Sequence, residues 1–565
     1  MHFQLIPSCF AIASLCGAAI ASSQLPTVDL GYAIYQATIN PPVGALRFAP
    51  PLPPVGRNAT INTGQTGVIP AQANPAWEVI AELFLDAYLT GQNISEFTNE
   101  TSALALLSNL TAPAPDPSVS EDCLFLDVIV PEKIFNGSSS VGKTVKAGAP
   151  VLVWIYGGGY TEGSKLSAGD PASLVARSQL DGSEGVIFVA MNYRLGLFGW
   201  LSGNSEVTDN VGLLDQRLAL EWVQSNIHLF GGDPSRVTVM GESAGGGSIM
   251  HHSTSDSALV TSYGGKGPAP PFQQAIPQSP AFQIMVPEQS KAIFSQVLGN
   301  ASIVAGKTIS CAEDLRALPF EVLAAVNTLM VGNSMYGTFT FGPVVDPSPN
   351  SYVPDLPLRL VAEDKFHNVS LMVGHNSDEG LLFTPPFVQT QAEFVDEFAT
   401  LFPTANASTI SYLTETLYPP VYDGTYGYTD AIGRTSLAIS DFLVGCNAHY
   451  LASMLSPSYA YLFAVPPALH GEDVPYTFFN GDTSTSDDGL PVSSEVATAF
   501  QRYLTTFAMT GTPVSEGFQT FSRYGQNDTV TEINLVDFGS HIKDPAARSV
   551  CQFWATAPYY VAGSS

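Results

Sequence analysis

Positive charge is scarce in this chain. Twenty-one Lys and Arg stand against 50 Asp and Glu, for a formal net charge of −29 at pH 7. Nucleic acid is excluded as a partner, because neutralising phosphates needs clustered cations. Charge of either sign is sparse at 13%, while 45% of residues are hydrophobic. That balance excludes a disordered chain and supports a large buried core. Cysteine is scarce too. Cys9 and Cys16 lie in the apolar N-terminal stretch, leaving Cys123, Cys311, Cys446 and Cys551. None has CxxC or zinc-ligand spacing, so no metal and no cofactor are expected. Four cysteines allow three pairings, and spacing alone does not choose among them.

Long apolar runs are missing beyond the N-terminus, so no membrane span is expected. The tail 557–565 reads as neither a membrane anchor nor an ER-retention signal. No repeat, linker or shift of composition divides the chain. Residues 24–565 are therefore expected to form one very large domain, and residues 1–23 an export signal. Leu5, Ile6 and the stretch 10–20 are apolar, and small residues follow at Ala19, Ala21, Ser22 and Ser23. Cleavage is expected after Ala21 or Ser23, although no Lys or Arg precedes the apolar stretch. Nine Asn-x-Ser/Thr sequons agree with export and N-glycosylation: Asn58, Asn93, Asn99, Asn109, Asn136, Asn300, Asn368, Asn406 and Asn527.

Apolar segments at 151–156, 186–191, 236–240, 370–374 and 459–465 read as buried parallel strands. Leu214, Leu218, Trp222 and Val223 recur at helical spacing between two of them. Strands alternating with helices predict an α/β fold with helices on both faces of a large, mostly parallel sheet. A separate helix is predicted with Asn74 as cap and Pro75 at its first position. Trp77, Ile80, Phe84 and Tyr88 form its apolar face. Glu78, Glu82 and Asp86 line the opposite face, and Gly91 ends it.

The chemistry centres on Gly241-Glu242-Ser243-Ala244-Gly245, which follows one predicted strand and precedes a helical stretch. This Gly-x-Ser-x-Gly elbow exposes a serine hydroxyl at the top of a sheet. A nucleophilic serine needs a base, an acid to orient that base, and donors for the oxyanion. The chain order serine, acid, histidine leaves His449, His470 and His541 as bases. His449 falls in a helical run, and His541 has no strand before it. His470 follows the strand at 459–465 and is the expected base. The acid is Asp378 or Glu379, both just beyond the strand at 370–374, and these residues alone do not separate them. His375 nearby is read as structural. Gly157-Gly158-Gly159, after the strand at 151–156, offers unobstructed backbone donors, and Ala244 offers another.

Together these residues resemble the type-B carboxylesterase/lipase family, which includes cholinesterases and fungal lipases of α/β-hydrolase fold. The resemblance rests on 120–126, on 210–216 running through 230–234 to the elbow, on Asn192-Tyr193-Arg194, Gln278-Ser279, Asp378-Glu379-Gly380 and His470-Gly471. It implies Ser243 as nucleophile, Glu379 as acid and His470 as base. It also implies Gly158, Gly159 and Ala244 as oxyanion donors, Glu242 and Ser279 as buried groups beside them, and a Cys446–Cys551 disulfide. The expected substrate is a small-molecule or lipid ester, with transient contact at a lipid interface left open. A non-catalytic adhesion protein of the same fold is the rival reading. The chain departs from the pattern at Ile69, where relatives carry the cysteine that pairs with Cys123. The insertion at 74–117 therefore lacks its usual tether, and its helix reads equally as a lid or as a fixed part of the body.

Overall fold

The computed structural model describes residues 2–6, 30, 47–53, 67–109, 116–138, 148–254, 269–348, 351–484 and 491–560. Ala21, Ser23, Cys9, Cys16, Asn58 and residues 110–115 lie outside this set.

Among the described residues ten strands form one sheet: β1 (His2–Ile6), β2 (Leu126–Pro131), β3 (Ala149–Ile155), β4 (Ile187–Met191), β5 (Gly232–Glu242), β6 (Gln274–Gln278), β7 (Ser370–Asn376), β8 (Ser458–Phe463), β9 (Thr529–Ile533) and β10 (His541–Lys543). Their order across the sheet is β1-β2-β4-β3-β5-β6-β7-β8-β9-β10. The β2–β4 and β9–β10 pairs are antiparallel, and the other neighbours run parallel. All five expected strands are present, and the architecture is the expected α/β one. Cleavage after Ala21 or Ser23 would remove β1 from the sheet edge.

Each residue of β3, β4 and β8 is buried, with no alternation. Such strands need cover on both faces. The helices used below are α1 (Trp77–Leu89), α2 (Val211–Asn226), α3 (Ala244–Thr254), α4 (Cys446–Met454), α5 (Ser494–Thr510) and α6 (Cys551–Thr556). Helix α3 packs on β5 and β6, α4 on β7 and β8, and α5 on β3 and β5. Gln274 on β6 stitches α5 to the sheet: its Nε2 donates to Thr238 Oγ1 and to the Phe507 carbonyl. Arg194 makes a bidentate pair with Asp215 of α2, with Nε 2.8 Å and Nη2 2.7 Å from the carboxylate. That contact accounts for two of the motifs read from the sequence. Cys446 opens α4 and Cys551 opens α6, and their sulfurs are bonded. Closing a loop this long stabilises by about 5 kcal/mol in the chain-entropy description. Cys123 is a free, buried thiol, and Cys311 is free and half-buried.

Two details of the predicted α1 differ. The helix starts at Trp77, with Ala76 at the cap position, and Asn74 is not its cap. The Asn74 amide instead donates to Glu78 and to Glu162. Gly91, at φ +71°, does end the helix. Among the described residues no helix is long and apolar enough to cross a membrane.

His251 on α3 is a test of the core. It is 3% exposed, packs edge-on against Phe282, and neither ring nitrogen has a hydrogen-bond partner. Burial pushes its pKa down to about 3. The unfolded chain takes up a proton below about 6.5 while the folded state does not, so stability falls as pH drops from there toward 3. The expected slope from this residue is about 1.4 kcal/mol per pH unit. His251→Phe should flatten the decline of the urea midpoint between pH 7 and pH 4. An unchanged decline would show that His251 does not carry it.

Candidate active site

Strand β5 ends at Glu242 and α3 begins at Ala244, leaving Ser243 alone in the turn at φ +54°. A left-handed serine is held only where its surroundings over-determine it. Here its N–H donates to the Gln278 carbonyl at 3.0 Å. Its own carbonyl accepts from Gly247 and Ala281 at 2.8 and 3.1 Å. The turn also presses on β3: a Cβ on Gly245 would stand 2.0 Å from the Ile155 carbonyl oxygen.

Ser243 Oγ lies 2.7 Å from His470 Nε2, and His470 Nδ1 lies 2.5 Å from Glu379 Oε2. Two loops at the C-terminal ends of β7 and β8 bring these groups together. They are laced by bonds from Ser377 N to the Phe463 carbonyl at 2.9 Å and from Asp378 N to the Ala468 carbonyl at 3.0 Å. Asn376 Nδ2 donates to the Leu469 carbonyl at 2.5 Å. Glu379 Oε1 accepts from Ser279 Oγ at 2.7 Å and from the Asn376 backbone N–H at 2.5 Å. Asp378, the other candidate, turns away and accepts from Ser436 at 3.1 Å. His449 instead meets Tyr524 Oη at 2.7 Å. His541 lies in the edge strand beside Ser522, and His375 pairs with Asp544 at 2.9 Å.

Gly158 and Gly159 line the cavity in front of Ser243. Among the described residues neither of their N–H groups donates within the protein. Gly159 sits at φ +57° beneath the Phe339 ring, where a Cβ would approach within 2.2 Å. The cavity holds about 380 Å³, and its walls include Trp77, Glu78, Glu82 and Leu85 of α1, with Glu162, Glu242, Phe339, Phe383 and Leu469. Trp77 is buried against Tyr336, Phe339 and Phe383, and its Nε1 donates to the Thr338 carbonyl at 2.8 Å. The acidic face of α1 lies opposite its buried apolar face as expected, with Glu82 and Asp86 exposed and Glu78 half-buried. Trp77 and Phe84 are buried in aromatic packing, and that rotation leaves Glu78 and Glu82 bordering the cavity.

The electrostatics are dominated by buried acids. Burial pushes Glu242 up to about 8. Burial would raise Glu379 too, but the charge and hydrogen bond of His470 outweigh it and hold this carboxyl below its usual value. Burial lowers His470, but Glu379 and Glu242 overcome it and push the ring up to about 9. Beneath lies Asp473, fully buried, which accepts from Tyr461 Oη at 2.7 Å and Gln278 Nε2 at 2.9 Å. Sequence reasoning missed Asp473, Glu162, Phe339 and Phe383. Only Asp473 left a signal, three residues after His470. Among the described residues no group of three or more His, Cys, Asp or Glu is arranged to hold a metal ion.

A profile of the Carboxylesterase family matches residues 38–554. The chain belongs to that family. It is 36% identical over 564 residues to carboxylesterase patB of Aspergillus clavatus, covering 95% of this chain and 97% of the relative. It is 31% identical to para-nitrobenzyl esterase of Bacillus subtilis, covering 84% of this chain and 85% of the relative. Among solved structures, Aspergillus niger EstA shares the fold, with a TM-score of 0.67 at 22% identity over 92% of this chain and 94% of that one.

A base must be neutral to accept a proton, so with His470 in its expected role its raised pKa has a direct consequence. The acid limb of kcat/KM for this carboxylesterase-family site should have its midpoint above pH 7, higher than the reference value of about 6.5 for histidine. Glu242→Gln removes an ionisable carboxyl 3.5 Å from His470 Nε2, one of the groups that raise the ring. It should move that limb to lower pH. A limb that stays in place in the variant would show that Glu242 does not set it.

Proposed function

We propose that the protein hydrolyses carboxylic esters through an acyl-enzyme on Ser243. The reading rests on one observation, the unbroken run of short contacts from Ser243 Oγ through His470 to Glu379. Ser243 Oγ attacks the ester carbonyl as its proton passes to His470 Nε2. Glu379 holds the imidazole by Nδ1 and stabilises the imidazolium. The oxyanion forms against the N–H groups of Gly158, Gly159 and Ala244. The alkoxide leaves with the proton from His470, water attacks the acyl carbonyl with His470 as base, and the carboxylic acid departs.

Residues 24–565 are read as one secreted, N-glycosylated domain released from the signal 1–23. Asn93, Asn99, Asn136, Asn368, Asn406 and Asn527 are exposed, as acceptor sites require. Asn300 is not well presented: it is half-buried, with Nδ2 3.0 Å from Met330 Sδ. Helix α1 forms a cavity wall in this conformation, and lid motion is a separate matter of rates.

Ser243→Ala should lower ester hydrolysis roughly 10³-fold or more without loss of folding. A phosphonylating reagent should label Ser243 alone. A variant that keeps most of its activity would refute the nucleophile. Wild-type protein inert to esters and reagent alike would favour the adhesion reading. Glu379→Gln should cost more activity than Asp378→Asn, and the opposite order would reassign the acid.

A further inference from the structure

The cavity wall carries more acid than ester hydrolysis requires. Glu78 and Glu82 lie one turn apart on α1, and Glu162 follows the glycine loop, all lining the space in front of Ser243. The Asn74 amide bridges the first and third, donating to Glu78 Oε2 at 3.1 Å and to Glu162 Oε2. Glu162 is built into the glycine loop itself, with its N–H on the Gly158 carbonyl at 3.1 Å. Among the described residues no Lys or Arg lines this cavity. A second observation points to a ligand. Glu242 is 7% exposed, lines the same cavity, and its Oε1 has no hydrogen-bond partner. Its nearest charged neighbour is the His470 ring at 3.5 Å.

From this arrangement we propose that Glu78, Glu82 and Glu162 set the charge preference of the site. They favour esters carrying a protonated amine over neutral ones, and reject esters carrying a carboxylate. The inference rests on the ester-hydrolase reading and deepens it to a substrate class. The physical cause is the partial burial of Glu78 and Glu162, with Glu82 exposed beside them. Burial first, then repulsion by Glu162 and Glu82, pushes Glu78 up to about 8, against the opposing Asn74 hydrogen bond. Burial and then Glu82 push Glu162 up to about 7, again against Asn74. Carboxyl groups that hold protons for want of a counter-charge gain from an ammonium placed among them. A substrate carboxylate in the same place adds repulsion at short range.

The test uses the ethyl esters of β-alanine and butanoic acid with monoethyl succinate, which place an ammonium, a methyl and a carboxylate at corresponding positions. Each kcat/KM, measured at pH 8 and low salt, is divided by the ester's hydroxide-catalysed rate. The corrected order should be ammonium, methyl, carboxylate, with the extremes roughly tenfold or more apart. In Glu78→Gln/Glu162→Gln the spread should shrink several-fold. The ratio is taken within one enzyme, so a general loss of activity cancels. Should the double variant fail to fold, Glu82→Gln and a salt titration of the wild type serve instead, and both should narrow the spread. A wild-type spread near one, or a spread that no variant and no salt narrows, overturns the proposal. Failure to cleave even ethyl butanoate would count against the ester-hydrolase reading instead.

Discussion

Everything in the site hangs on how closely the backbone at residue 245 approaches β3. With no side chain at Gly245, α3 starts directly against the Ile155 carbonyl. Any Cβ would push helix and sheet apart and release Ser243 from its left-handed turn. That turn costs on the order of 1 kcal/mol or more, and it persists because surrounding hydrogen bonds fix it on both sides. One of these bonds is the Ser243 N–H on the Gln278 carbonyl. The same glutamine reaches down with its side chain to Asp473 and Thr477. The next residue, Ser279, holds Glu379. Ser243, Glu379 and the buried floor are therefore positioned from one strand end, and a shift of β6 would disturb all three.

The close packing that fixes geometry also strips the acids of water. Glu242, Glu379 and Asp473 all lie near His470, and they cannot all be charged around one imidazolium without a large desolvation cost. The protein distributes the charge unevenly. Glu379 keeps its charge because it accepts bonds from Ser279 and Asn376 in addition to His470. Glu242 has no such donors on Oε1 and is driven toward neutrality at physiological pH. Glu78 and Glu162 repeat the pattern at the cavity wall, with a single amide between them as donor.

The parts legible in the sequence were those that repeat locally. The elbow, the triple glycine after β3 and the apolar strands are contiguous patterns, and the fold is recovered from them. His470 was legible from its place after a strand. Choosing between Asp378 and Glu379 required a family resemblance, because neighbouring loop residues differ only in where the chain turns. Beyond that, periodicity reports that one side of α1 is buried and not what the flanks meet. Trp77 points into packing formed by Tyr336, Phe339 and Phe383, all distant in sequence, and Phe84 packs on Phe97 just beyond the helix. That contact fixes the rotation of α1, and with it the placing of Glu78 and Glu82 beside the cavity. Nothing within residues 74–91 encodes it.

The missing disulfide at Ile69 points the same way. Without a covalent tether, the segment leading into α1 is held by hydrogen bonds along its length. Asn192 Nδ2 grips the carbonyls of Val68 and Cys123 at 2.9 and 3.0 Å. Ile69–Pro70 pairs with Val119–Ser120 as a two-stranded ribbon. Further on, Ala73 N donates to the Thr161 carbonyl at 3.0 Å, and Gln72 Oε1 accepts from Gly163 N at 2.7 Å. The last two bonds run to the loop that carries Glu162. The entry to α1 is thus fastened to the glycine loop itself, close to the Asn74 bridge. A disulfide to Cys123 would have anchored the segment at Ile69, farther back along the chain. The hydrogen-bonded arrangement couples the position of the acidic wall to the loop expected to receive the oxyanion. Movement of α1 away from the cavity must therefore either break these bonds or pivot beyond Asn74, leaving Glu162 in place and carrying Glu78 and Glu82 away.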